Sequence, residues 1–331
     1  MSSITLAVAP NAGVVPLRQD ASVIALVGLA HASSHFSHLL LPLMFPAFIR
    51  EFGLSYSQLG LLMTVFFSVS GSGQALSGFV VDRVGPRRIL FAALGALLLA
   101  CLAAALAQGY VGLMLVAALA GLGNASFHPV DFTLLNQRVS APRLGYAYSV
   151  HGVTGNLGWA AAPAFLVGLS SLWGWRWAYA GAALLYGLII LLLLANRALL
   201  HTQLAPRHAQ AGVGNDLAFM KLPVVWWCFS FFLLSTMTLA VVQGFAVSIL
   251  KAMHGVTFEA ATLTLSAYML CGAVGVFVGG FVAARTVHSD RVVALTMPIN
   301  VPNTVSFLSH CVLHVLHGWG EVLRLPVPEL L

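Results

Sequence analysis

Six titratable side chains of this chain fall where their types and spacing suit proton or metal chemistry. His128 and Asp131 stand three residues apart, which puts both on one face of a helix. His151 belongs at a similar depth. Asp131 precedes Arg138 by seven residues and His151 follows Arg143 by eight, so each lies about 10 to 12 Å along a helix from a basic marker of the same membrane face. Upstream, His31, His35 and His38 are spaced by four and three and again share a face, with Ser34 beside them. A carboxylate among imidazoles can take up and pass on a proton near neutral pH. In the plainer alternative His151 bonds a backbone carbonyl and Pro129 merely bends its helix. That alternative suits Asp131 least, because a carboxylate inside a membrane is costly unless it has work to do.

The elements that must position these residues are membrane spans. The 331 residues are 60% hydrophobic and 7% charged, with a mean hydropathy of +0.93, whereas a soluble domain carries roughly 25% charged residues. Apolar runs long enough to cross about 30 Å of hydrocarbon recur near 22–49, 56–81, 88–108, 110–137, 144–172, 176–200, 223–250 and 257–284, with a ninth, irregular stretch from 292. The expected fold is therefore all-α and polytopic. Short loops make successive spans antiparallel neighbours. Residues 1–21 read as an N-terminal tail, 22–200 as a six-helix bundle, 201–222 as a polar linker, 223–291 as part of a second bundle and 292–331 as an atypical tail. With the N-terminus in the cytoplasm, Arg18, Arg83, Arg87, Arg88, Arg138, Arg143, Arg197, Arg207, Lys221, Arg285 and Arg291 face inward, and only Arg50, Arg176 and Lys251 face outward. This asymmetry favours that orientation, because cytoplasmic loops retain Lys and Arg.

The charge of +6 is dispersed between apolar runs and builds no nucleic-acid face. Cys101, Cys228, Cys271 and Cys311 form no close pair and have no metal-ligand spacing, so buried thiols are expected. Residues 1–21 lack the basic start of a cleaved signal peptide. After Met297 the chain carries Pro298, Pro302, His310, His314 and His317 at irregular intervals, which suits no ordinary span.

Between the second and third spans the chain reads Gly78-Phe-Val-Val-Asp82-Arg83-Val-Gly85-Pro86-Arg87-Arg88. Gly78 permits close helix contact, Gly85 a tight turn, and Asp82 a charge latch to nearby guanidinium groups or a helix N-terminus. The order and place of these residues resemble the G-x-x-x-D-R-x-G-R-R loop of the major facilitator superfamily. Trp173-Gly-Trp175-Arg176-Trp177-Ala-Tyr179 resembles that family's turn before the sixth span, and its aromatic residues also suit the headgroup level. The stretch from Gly155 to Pro163 resembles its glycine-rich fifth helix, and the spacing of Gly152, Gly155 and Gly158 lets backbones approach closely whatever their ancestry. Ala125-Ser-Phe127-His128-Pro129 resembles the F-H-P motif of its fosmidomycin-resistance branch, although Asp131 departs from the Glu expected directly after the proline.

The resemblance implies a twelve-helix fold of two six-helix bundles with alternating access. It further implies a secondary transporter of a small solute, of the drug/proton antiport kind, in a bacterial inner membrane. Helices one, four and five would then border the cavity that holds Asp131, His128, His151, His31, His35 and His38. The loop matching the signature in the second half is Gly280-Phe-Val-Ala-Ala284-Arg285, with Ala284 in place of an acid. Helix accounting suggests a complete first bundle and an incomplete second one, hence a chain that does not complete a transport cycle alone; a transport-inactive remnant or sensor is the corresponding alternative. The string from His31 to His38 also fits the H-x-x-x-H-x-x-H box of membrane di-iron enzymes. Such enzymes gather several boxes, and no second one stands outside the atypical tail. The expectation is accordingly no enzyme, no cofactor and no metal, with lipid, a small-molecule substrate and protons as partners.

Overall fold

The breaks in the helices are as informative as the helices themselves. In a computed structural model that describes residues 15–202 and 218–284, the first span is α1 (Leu17–Ser37) and α2 (Phe45–Phe52), joined through a short 3-10 turn at Pro42–Met44. Pro42 explains the interruption, since its ring excludes the carbonyl of His38 four residues earlier and it has no N–H to donate. The fourth span is likewise split, into α5 (Tyr110–Asn124) and α6 (Phe127–Arg138). Here Pro129 displaces the carbonyl of Ala125, and Ser77 of α3 (Tyr56–Val84) donates its hydroxyl to that oxygen at 3.4 Å. Beside the first break, Tyr179 and Tyr186 of α8 (Trp175–Ala195) donate to the carbonyls of Leu40 and Ser33. Freed backbone groups in a membrane interior need such partners.

The remaining helices are α4 (Pro86–Ala105), α7 (Leu144–Trp173), α9 (Pro223–His254) and α10 (Phe258–Ala284). A reciprocal capping box of Ser55 and Gln58 starts α3. The chain turns from α3 into α4 at Gly85, whose φ of +93° suits only glycine, with Pro86 in the first turn of the new helix.

Among the described residues, Leu17–Phe52, Tyr56–Val84, Pro86–Ala105, Tyr110–Arg138, Trp175–Ala195, Pro223–His254 and Phe258–Gly279 are long and apolar enough to cross a membrane. The further span expected at 144–172 is α7. Its 30 residues rise about 45 Å, but its glycines, His151, Thr154 and Asn156 make it less apolar, and it packs against α1 and α8 inside the bundle. No strand occurs among the described residues. The tail before residue 15, the centre of the linker, and everything from Arg285 on, including the ninth stretch and His310, His314 and His317, lie outside the described residues. Residues 15–277 belong to one compact unit, and the end of α10 from Val278 belongs to another.

Candidate functional site

Small residues bring α1 and α7 together. A side chain at Gly158 would collide with the backbone oxygen of Ala32, so the helices touch there backbone to backbone. One turn earlier, a Cβ on Gly155 would come within 2.7 Å of His35 Nδ1 and 2.9 Å of His31 Nε2. The missing side chain at Gly155 is thus the space that two imidazoles occupy.

Into this junction α6 delivers Asp131. Its carboxylate is fully buried, and one oxygen, Oδ2, faces His31 Nδ1 at 3.1 Å and His151 Nε2 at 3.2 Å. The two rings stack with centroids 3.5 Å apart. One carboxylate oxygen therefore ties together three helices: α6 through Asp131, α1 through His31 and α7 through His151. The other oxygen, Asp131 Oδ1, is buried and has no hydrogen-bond partner, and neither has His35 Nδ1. His128 completes the group, with its centroid 5.2 Å from that of His31 and 6.0 Å from that of His35. It is half-buried, and the other three imidazoles are buried.

His38, at the broken end of α1, stands slightly apart from these four. Its Nδ1 accepts from the indole N–H of Trp159 at 3.3 Å, and Gln243 of α9 approaches the same ring. The three rings from His31 to His38 nonetheless form a row, with centroids 4.3 Å apart between His31 and His35 and 5.4 Å apart between His35 and His38. The first two members meet histidines of α6 and α7, and both His35 and His38 lie against the ring of Trp159. Nearby, Ser34 donates to Asn124 Oδ1 at 2.6 Å, and the Asn124 amide donates to Ser70 Oγ at 2.8 Å, linking α1, α5 and α3 at the level of the two breaks. The sequence reading missed Asn124. The available signal was an amide within an otherwise apolar run, four residues before His128.

Two further acids also escaped it. Residues 1–21 read as a tail, yet α1 begins at Leu17 and buries Asp20 completely. Asp20 accepts from Arg143 Nη1 at 2.6 Å and from the Ser140 backbone N–H at 3.2 Å. At the opposite end of the first span, Glu51 accepts from the indole of Trp175 and pairs with Arg176, which also donates to the Ala107 carbonyl. A span boundary drawn at residue 22 left Asp20 in a tail.

The signature loop differs from its expectation. Asp82, Arg83 and Arg88 are exposed, and Asp82 makes no hydrogen bond or ion pair with any described residue, so the latch is not formed among them. A Cβ on Gly78 would meet nothing within 4 Å, which removes the close contact expected there. Arg87 does cap a helix end, donating to the Arg197 carbonyl at 3.3 Å. Pro163 is buried inside an unbroken α7, with Ser266 of α10 donating to the nearby Ala160 carbonyl. Gly152 faces Val276 and Gly272 faces Asn156.

The fold has a counterpart among known families. A family model described as Major Facilitator Superfamily matches residues 27–312. The chain belongs to the major facilitator superfamily. Within that family it is similar to the uncharacterized MFS-type transporter YfnC of Bacillus subtilis, at 29% identity over 141 residues, 43% of this chain and 34% of that protein. It is also similar to the fosmidomycin resistance protein of Escherichia coli, at 28% identity over 151 residues, 44% of this chain and 36% of that protein. The matched stretch thus spans about a third of the length of these relatives. A bacterial homologue of the human lysosomal transporter Spinster, in an inward-facing and unoccupied conformation, superposes with a TM-score of 0.65 over 82% of this chain and 64% of that one. At 18% identity this likeness concerns the fold alone.

Proposed function

We propose that this major facilitator superfamily protein works as a secondary active, proton-coupled carrier of a small solute in a bacterial cytoplasmic membrane, of the drug/proton antiport type, with Asp131 as the proton-carrying group. The observation that carries the reading is the pairing of a fully buried carboxylate with two imidazoles and, among the described residues, no guanidinium or ammonium. As a carboxylate, Asp131 accepts from His31 and His151 and holds α1, α6 and α7 together. A proton on Asp131 removes the negative charge and leaves the acid fewer acceptor sites, which weakens the tie between the helices. A junction with a tied and an untied state is what a solute on one side and protons on the other can bias. The interrupted α1–α2 and α5–α6 spans meet at this level, as helix breaks do at transporter binding sites. Family membership and the similarity to a drug-resistance protein support the choice of cargo class.

Asp131→Asn should abolish pH-gradient-driven flux of organic acids and drug-like solutes in proteoliposomes, while gradient-free exchange persists and the protein stays folded. Unchanged gradient-driven flux in that variant would sink the proposal, and a wild-type chain with no flux would favour the transport-inactive alternative. The orientation proposed with it, N-terminus inside, rests on the eleven-to-three distribution of Lys and Arg counted from the sequence. In a cysteine-free background, Gln108→Cys should react with a membrane-impermeant thiol reagent added to intact cells and Ala198→Cys should not; the reverse pattern would invert the topology.

A further inference from the structure

The geometry points to a second capacity of the histidine junction, a site for one divalent transition-metal ion of the zinc and cobalt class, held by His31, His35 and His128. Asp131 serves there as the carboxylate behind a ligand. This goes beyond the transport reading and does not depend on it, and it reverses the expectation of no metal drawn from the sequence.

Three features carry the inference. One ligand atom from each of His31, His35 and His128 lies within 4.8 Å of the other two. In a tetrahedral site with metal–nitrogen bonds of about 2.0 to 2.1 Å, such atoms stand about 3.4 Å apart. The imidazoles therefore need to draw in by an ångström or so, which side-chain rotation supplies. Next, two of the three nitrogens are oriented for it. His31 Nδ1 faces Asp131, so the tautomer that donates to the carboxylate carries a lone pair on Nε2. That Nε2 and the unpartnered His35 Nδ1 both border the space left by Gly155. A carboxylate–histidine pair of this kind fixes the ring and raises its basicity toward a metal. Lastly, the donor set is chemically selective. Neutral imidazoles with one open position suit zinc, cobalt, nickel or copper and are poor ligands for magnesium or calcium. His128 is half-buried and the least enclosed of the three.

His38 was the third member of the histidine box in the sequence, but it is not part of this site. Its Nδ1 is engaged by Trp159, so the metal site replaces a three-histidine motif on one helix with histidines from α1 and α6.

The test uses the whole chain in detergent, free of any histidine tag, with the metal alone as probe. Titration with Co2+ should give visible ligand-field bands that saturate at one ion per chain, and Zn2+ should displace the cobalt. Each of His35→Gln and His128→Gln should weaken binding by at least about tenfold, Asp131→Asn should weaken it by about 10- to 100-fold, and His38→Gln should leave it unchanged. Saturable binding that survives intact in the His35→Gln/His128→Gln double variant would overturn the proposal, as would the absence of saturable binding. Should that variant misfold, X-ray absorption of the zinc-loaded wild type decides alone. Three imidazole shells support the site, whereas a sulfur or carboxylate-dominated shell refutes it. Binding is read here without flux, so failure of the metal site and failure of proton coupling remain separate results.

Discussion

The middle of the first six spans and their two rims use the same kind of side chain for different ends. At the rims, Asp20 meets Arg143 and Glu51 meets Arg176, so a carboxylate is matched by a cation that cannot release its proton. In the middle, Asp131 pairs with imidazoles alone among the described residues. The rim pairs keep fixed charges and join loops to helix ends: Asp20 and Arg143 connect the start of α1 to the turn before α7, and Arg176 connects the start of α8 to Glu51 and to the end of α4. Among the described residues the central group has no such fixed cation. A buried acid matched to arginine is an architectural tie, and the role proposed for Asp131 rests on its being matched to histidine instead.

The comparison breaks most readily at Asp20. Removing one member of a buried ion pair leaves the other member and the Ser140 N–H without their acceptor. The side chain of Arg143 is 26% exposed, so water recovers part of that loss. Asp20→Ala should therefore destabilise the protein by about 2 kcal/mol, below the 3 to 5 kcal/mol of a fully buried pair. Thermal unfolding in detergent measures it. Asp131→Asn should shift the same midpoint less, because the amide keeps the shape and still accepts from one imidazole, while the buried charge disappears. Equal losses in the two variants would erase the distinction between rim and centre.

Much of the centre was legible in the sequence, because depth along a helix can be counted. Seven residues from Arg138 and eight from Arg143 did place Asp131 and His151 together, and a spacing of three did place His128 on the same side. Counting gives level but not partners: His38 does stack beside His35 as its spacing suggests, but its bond from the Trp159 indole, 121 residues away, has no local trace. The breaks themselves were foreshadowed only by Pro42 and Pro129, residues that also occur in kinked but continuous helices, as Pro163 does in α7. Asp20 was missed for a different reason. Hydropathy places a boundary where polar residues begin, whereas this helix starts earlier and buries its first acid under the turn before α7. Pairing across 120 residues leaves no local trace.

The smallest effect belongs to Asp82, and it sharpens the same contrast from outside. Asp82 carries the most recognisable motif in the chain, yet it is exposed at the end of α3 and has no partner among the described residues, whereas Asp20 has no motif and is fully buried. If partners, not motifs, decide what an acid contributes to folding, Asp82→Asn should move the unfolding midpoint by less than about 0.5 kcal/mol, the range of surface substitutions. The turn beside it is governed by Gly85, so Gly85→Ala in the same assay provides the positive control, because φ of +93° strains any residue with a Cβ. A loss for Asp82→Asn as large as that for Asp20→Ala would mean that Asp82 finds a partner in the membrane-embedded protein, and the division between paired rim acids and a free loop acid would then have to be redrawn.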